Sequence, residues 1–233
     1  MDPRQLPVDS RLVGQCVFCG GEPGTSDHVP SKVLLDDPLH GDLPTVEACA
    51  GCNASFSLDE EYLASFLECV LCGTAEAAGV GRDKVSRALA RNPSLVERIR
   101  ASLRESEDGP LVWMPEGDRV RRVVVKLARG HAAYELSLPQ IEEPIGVSFL
   151  PLFVMSNSDR TTFENAGISG LRGWPEIGSR AFHRAAGAHP YAAQPGPWIT
   201  VQEGRYRYSV DQDSGVRVRF VLSEYLACTV EWE

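Results

Sequence analysis

The pair Cys16-x2-Cys19, repeated after twenty-nine residues as Cys49-x2-Cys52, constrains this 233-residue chain more than any other feature. Two thiols spaced this way on a tight turn can reach one ion, and two such turns complete a closed tetrahedral thiolate shell with Zn–S near about 2.3 Å. Gly20 and Gly21 follow the first pair and permit the backbone conformations a knuckle turn requires. A structural zinc is the reading that the doubled spacing favours. Iron in a site of the same shape, two disulfides, and four separate core cysteines are the alternatives. The opening Met-Asp-Pro-Arg-Gln-Leu-Pro has neither a basic stretch nor an apolar core, so no export leader is read, a cytoplasmic setting is expected and disulfides are disfavoured.

Charge is as unevenly placed as the cysteines. Residues 1–80 hold thirteen acidic side chains against three basic ones, whereas residues 81–233 are close to balanced, so the net charge of −9 belongs to the N-terminal third. Six of the seven cysteines lie there as well. With 43% apolar and 24% charged residues the chain has a globular composition, and no run reaches the roughly 18 apolar residues of a membrane span. An acidic module grips a phosphate backbone poorly by itself, which argues against a simple nucleic-acid coat.

Local patterns predict an α+β chain. Ser26 to Leu35 reads as an extended segment interrupted by Pro30, residues 36–44 as loop, and Thr45 to Ala48 as a short strand entering the second knuckle. Leu63, Phe66, Leu67, Val70 and Leu71 recur at helical spacing, with Ser57-x-x-Glu60 as a capping box and Gly73 or Gly79 as the stop. Further helices are predicted over 83–91, 93–106 and 118–136, a strand over 146–154 and a short helix near 176–186; over 118–136 the spacing of Val120, Val123, Leu127 and Ala128 after Asp118 favours helix, while Val123-Val124-Val125 favours a strand as the alternative. Residues 205–210 and 216–220 alternate with period two around a turn, and Leu226, Cys228, Val230 and Trp232 continue that alternation, which predicts a C-terminal antiparallel sheet. Two domains are expected, over residues 1–80 and 81–233.

Taken together, Cys16-x2-Cys19, Asp27-His28 and Cys49-x2-Cys52-Asn53 followed by a helix resemble the HNH endonucleases of the ββα-metal fold, in the version braced by a four-cysteine zinc. The resemblance covers residues 16 to about 72 and implies roles: Asp27 as a ligand of a catalytic Mg2+ or Mn2+, His28 as general base, and Asn53 as ligand or orienting residue. The chemistry agrees, since phosphodiester hydrolysis needs a base for the attacking water and a cation for the leaving oxygen. Neighbours on a regular strand point to opposite faces, so Asp27 and His28 share a site only if the backbone bends there. Many HNH motifs close with a helical histidine; here Asp59, Glu60, Glu61 and Tyr62 stand in that region, and Glu61 or Glu60 is the candidate replacement. Acidic residues in a first helical turn also favour the helix dipole without any ligand.

The resemblance thus implies a metal-dependent endonuclease acting on nucleic acid, with DNA the expected partner. The alternative is a catalytically inactive zinc-binding module that retains the fold for interaction or regulation, and a generic zinc-ribbon binder is a third reading. Arg205, Arg207, Arg217 and Arg219 alternate on two strands predicted to pair, which would gather four arginines on one face as a nucleic-acid contact or as a solvated face balanced by Glu203 and Glu231. Cys69 and Cys72 read as packing on a helix, or as a second metal or redox pair, and Cys228 as strand core. His40 reads as a solvent-exposed loop residue, with contact to a substrate the alternative; His131, His183 and His189 have no partner that the pattern suggests. No membrane partner is expected, and no oligomeric state is assigned.

Overall fold

In the computed structural model, residues 14–39, 41, 43–105, 111–165, 177–185 and 198–233 are described. His40 and His189 lie outside them. The chain does not divide at residue 80: one compact unit comprises Met1–Ser55 with Val124–Glu233, and the other Phe56–Val123.

The first unit begins with the two knuckles and a two-stranded antiparallel sheet. Strand β1 (Thr25–His28) pairs with β2 (Thr45–Ala48) in the register Thr25↔Ala48, Asp27↔Val46, His28↔Thr45. Between them the predicted extended segment ends at Val29 and Pro30, and a single 3-10 turn follows over Lys32–Leu34. Helix α1 (Ala50–Ser55) starts within the second cysteine pair, so Cys52 and Asn53 sit on a short helix rather than on a turn ahead of a long one. The rest of this unit comes from the far end of the chain. Strands β5 (Gly146–Pro151), β6 (Ile199–Gln202), β7 (Tyr206–Gln212), β8 (Val216–Leu222) and β9 (Leu226–Trp232) form one antiparallel sheet in the order β5-β9-β8-β7-β6. The predicted strand over 146–154 stops at Pro151 and turns into a 3-10 helix over Leu152–Val154. Helix α6 (Asn157–Asn165) and strand β6 were not predicted, and the helix expected near 176–186 is α7 (Arg180–Ala185).

Helix α5 (Gly117–Leu136) matches the predicted span, and the unit boundary falls inside it. Within the first unit its residues Val124 to Leu136 are almost all buried. Gly130 permits a close approach: a Cβ there would meet Val29 Cγ2 at 2.7 Å, so β1 ends directly against α5. His131 and Glu135 of α5 reach the sheet, where His131 Nε2 lies 2.7 Å from Tyr206 Oη and Tyr208 Oη donates to Glu135. The His131 ring also stacks on Tyr208, with centroids 3.8 Å apart.

The second unit is mainly helical. Helix α2 (Ser57–Cys72) follows α1 after the single residue Phe56, which keeps right-handed helical backbone angles and accepts from the Asp59 and Glu60 amides. Ser57 therefore lies inside the helix, and the capping-box expectation fails because one helix leads into the next. Gly73 ends α2 in the left-handed conformation that glycine tolerates, with its N–H on Val70 O and the Thr74 N–H on Cys69 O. Its buried face is Tyr62, Leu63, Phe66, Leu67 and Cys69, while Leu71 is exposed, contrary to the predicted stripe. Helix α3 (Asp83–Arg91) is as predicted. Helix α4 (Pro93–Arg100) is shorter than the predicted 93–106: Asn92 caps it by accepting from the Leu95 N–H, and the chain then enters β3 (Leu103–Glu105), paired with β4 (Leu111–Trp113).

Candidate metal centre

Each cysteine pair is shaped by its backbone. The Cys16 N–H donates to Gly21 O and the Gly20 N–H to Cys16 O, closing a turn in which Gly20 has φ +73°. The Val17 N–H donates to Glu47 O, which ties this knuckle to β2 just ahead of Cys49. The Asn53 N–H bonds to Cys49 O as the first turn of α1, and the Cys52 N–H points at Cys49 Sγ at 3.3 Å. The four sulfurs of Cys16, Cys19, Cys49 and Cys52 all lie within 4.8 Å of one another, with Cys19 and Cys49 at 3.9 Å. A regular tetrahedron with metal–sulfur bonds of about 2.3 Å has edges of about 3.8 Å. All four are free thiols, so the alternative of two disulfides is not what the structure shows, and the cluster can hold a zinc ion. Burial raises the Cys16 thiol, but hydrogen bonds from the Cys49, Phe18 and Cys19 backbone outweigh it and bring the pKa down to about 7. Burial and the neighbouring thiols push Cys52 the other way. The Cys16 thiolate is therefore favoured by backbone groups of both knuckles, whereas a full set of four needs a cation.

Cys69 and Cys72 form no second cluster of this kind. Cys69 is buried, and desolvation, then Cys72 and Glu68, raise it to about 12, which leaves an inert packing thiol. Cys228 is fully buried in β9, as the alternation predicts.

Strand β1 carries the residues that the HNH resemblance singles out. Thr25 and Asp27 alternate onto one face, and His28 onto the other, in a regular ladder. Thr25 Oγ1 donates to Ala48 O and accepts from Asn53 Nδ2 at 3.2 Å, so Asn53 abuts the Asp27 face one position along. Asp27 is buried, and its Oδ2 lies 2.6 Å from Lys126 Nζ of α5. That ammonium also donates to Ser31 Oγ at 2.7 Å and lies 5.8 Å from the centre of the Phe18 ring, within the first cysteine knuckle. His28 is half-buried, and its pKa is lowered by burial and then by Lys32, with Asp27 partly opposing, so the imidazole is neutral at physiological pH. Glu61 lies on α2 in the other compact unit. Among the described residues the four cysteines are the one group of three or more histidine, cysteine or acidic side chains whose ligand atoms gather.

The Mg2+ or Mn2+ that the resemblance implies does not fit Asp27 as it stands. Its carboxylate already holds a buried ammonium, and His28 leaves the strand on the opposite face. Lys126 escaped the sequence reading because it lies ninety-nine residues from Asp27, yet a signal existed. It is one of three lysines in an arginine-biased chain and interrupts the apolar run Val123-Val124-Val125-Lys126-Leu127-Ala128, where a helix buries its side chains.

In the second unit, Asp59 is buried and paired with both Arg119 and Arg122, the latter at 2.6 Å. Burial raises its pKa, but the hydrogen bond and charge of Arg122 and then of Arg119 outweigh this and hold it below the usual carboxylate range. This acidic first-turn residue is an ion-pair anchor.

Three of the four arginines share a face, since Arg217 stands opposite Asp211, Arg219 opposite Ser209, and Arg207 opposite Val221, whereas Arg205 lies in the turn ahead of β7 and not on a paired strand as expected. Each is met by an acid of its own chain: Arg205 by Asp36, Arg207 by Glu164 and Glu224, Arg217 by Glu231, and the buried Arg219 by Asp211. Arg207 also lies over the Trp198 ring at 4.4 Å. Of the two acids expected to balance this face, Glu231 meets Arg217, and a phosphate backbone would have to displace the carboxylates that hold these arginines. Among the described residues no helix is long and apolar enough to cross a membrane. No protein-family model, curated protein or solved structure matches this chain, so the geometry of these residues is what bears on its function.

Proposed function

We propose that this chain carries a zinc-braced module of HNH type that acts by binding or regulation and does not itself hydrolyse phosphodiesters. The observation that carries this reading is the 2.6 Å contact of Asp27 with Lys126: the carboxylate that would hold a catalytic cation is neutralised from within the protein. The zinc-braced frame is supported by the convergence of Cys16, Cys19, Cys49 and Cys52. The module then resembles a nuclease in its frame and departs from one in its charge balance.

A second reading, a metal-dependent endonuclease with His28 as general base, has its own support. His28 is neutral and half-exposed, and Asn53 is tethered through Thr25 beside Asp27. Nicking of supercoiled plasmid, and cleavage of single-stranded DNA and RNA, with Mg2+ or Mn2+ separates the two. The binding reading expects no cleavage by the zinc-loaded wild type. Cleavage that disappears in His28→Ala would overturn it and establish the endonuclease.

A further inference from the structure

The charge at Asp27 is held by more than one interaction. Lys126 lies within α5 between two buried residues, Val125 and Leu127, and is itself only 2% exposed. Its ammonium is fixed by Asp27 and by Ser31, while the approach of Val29 to Gly130 brings the end of β1 against the next turn of the same helix. A buried ammonium is tolerated where an opposite charge and hydrogen bonds compensate for lost hydration, and Asp27 and Ser31 supply both. Reciprocally, a carboxylate that faces a fixed cation at this distance offers a second cation a neutral ion pair rather than a negative charge. Asn53 of α1, whose Nδ2 donates to Thr25 on that face, contributes only an amide.

We propose that Lys126 is a built-in cation that occupies the place of a divalent ion at Asp27 and excludes such an ion by its charge. This rests on the binding reading above and adds what enforces it. The same carboxylate becomes a hard-cation site, with the oxygen chemistry of Mg2+ or Mn2+, when the lysine charge is removed and its volume kept.

The test uses the full-length, zinc-loaded protein and Mn2+ alone as probe, read by loss of the free-ion paramagnetic resonance signal. Manganese does not compete effectively with zinc for four thiolates, so the cysteine cluster stays silent. Lys126→Met is expected to bind one Mn2+ at least about tenfold more tightly than wild type, the scale on which one neighbouring charge shifts an equilibrium at a carboxylate. The double variant Asp27→Asn with Lys126→Met, which replaces the ion pair by neutral groups, should return to the wild-type level. Wild-type protein that binds Mn2+ and loses it in the double variant would overturn the proposal. So would Lys126→Met protein of native zinc content and circular dichroism that binds no more tightly than wild type. Should that variant lose its zinc, Lys126→Gln is read the same way. Plasmid cleavage by the wild type would sink the binding reading alone, because Mn2+ occupancy is measured with no substrate present.

Discussion

The four-cysteine cluster and the Asp27 site lie in the same compact unit and solve opposite problems. The cluster assembles four potential negative charges within 4.8 Å and needs a cation from outside to complete it. At Asp27 one buried negative charge is matched at 2.6 Å by a cation of the chain itself. The contrast shows that metal-ligand residue types are not enough to make a metal site: what matters is whether the fold leaves their charge uncompensated. It also separates bracing from chemistry, since the first site can hold a metal while the carboxylate of the second is already paired with a lysine of the chain.

The largest expected effect breaks the first half of this comparison. Replacing Cys49 with serine removes one of four thiolates, and structural zinc carries apparent binding free energies of the order of 10 kcal/mol or more in small zinc modules. Zinc content should fall from about one per chain to near zero, and the first unit should lose its cooperative unfolding transition, as followed by elemental analysis and calorimetry.

Next in size is the internal pair. Asp27→Ala or Lys126→Ala leaves a buried charge uncompensated and should cost about 3–5 kcal/mol in denaturant unfolding. The neutral combination Asp27→Asn with Lys126→Met should recover most of that loss. Equal destabilisation by the single and double variants would mean that packing, not charge, holds the contact.

A third prediction sharpens the comparison with a buried group that has no compensating anion of its own. His131 is fully buried among Tyr206, Tyr208 and Phe220, with Glu135 reached through Tyr208, and burial followed by the Lys126 charge drives its pKa from 6.5 down to about 3. A histidine held neutral in the fold contributes stability that is fully present above its unfolded value and is lost as pH falls through 6.5 toward 3. At pH 4 this amounts to about 3 kcal/mol. His131→Phe should therefore be less stable than wild type at pH 7, through loss of the Tyr206 hydrogen bond, and lose less on going to pH 4. Parallel losses in both proteins would contradict this.

The smallest effect concerns the arginine face. Arg217 pairs with Glu231 at the surface, with side chains 50% and 36% exposed, and such pairs contribute about 1 kcal/mol or less. Arg217→Ser should leave the melting temperature within a few degrees of wild type. It should also leave any DNA affinity and its salt dependence unchanged, because this arginine is already matched by an acid. A flattened salt slope would restore the face as a phosphate contact.

How much of this was legible in the sequence follows from distance along the chain. The cysteine spacing announces its cluster because each pair is local and glycine marks the turn. The C-terminal hairpin is announced by its period of two, and α2 stops at Gly73, the first of the two glycines the pattern offered. Helix α5 was predicted despite three consecutive valines, because the helical spacing of Val120, Val123, Leu127 and Ala128 reflects tertiary burial that outweighs β-branched propensity. The capping box at Ser57 failed because a neighbouring helix supplied the backbone entry. The Asp27–Lys126 and Asp59–Arg119 pairs were not legible, since each joins residues at least sixty positions apart that only the fold brings together. The carboxylate-histidine motif is local, but the lysine that neutralises it is not.

Equilibrating wild-type protein with both Zn2+ and Mn2+, removing free ions by gel filtration and counting the retained metals bears on both halves of the comparison at once. The account predicts about one zinc and no manganese per chain. Protein without zinc, or with one ion of each kind, would contradict it.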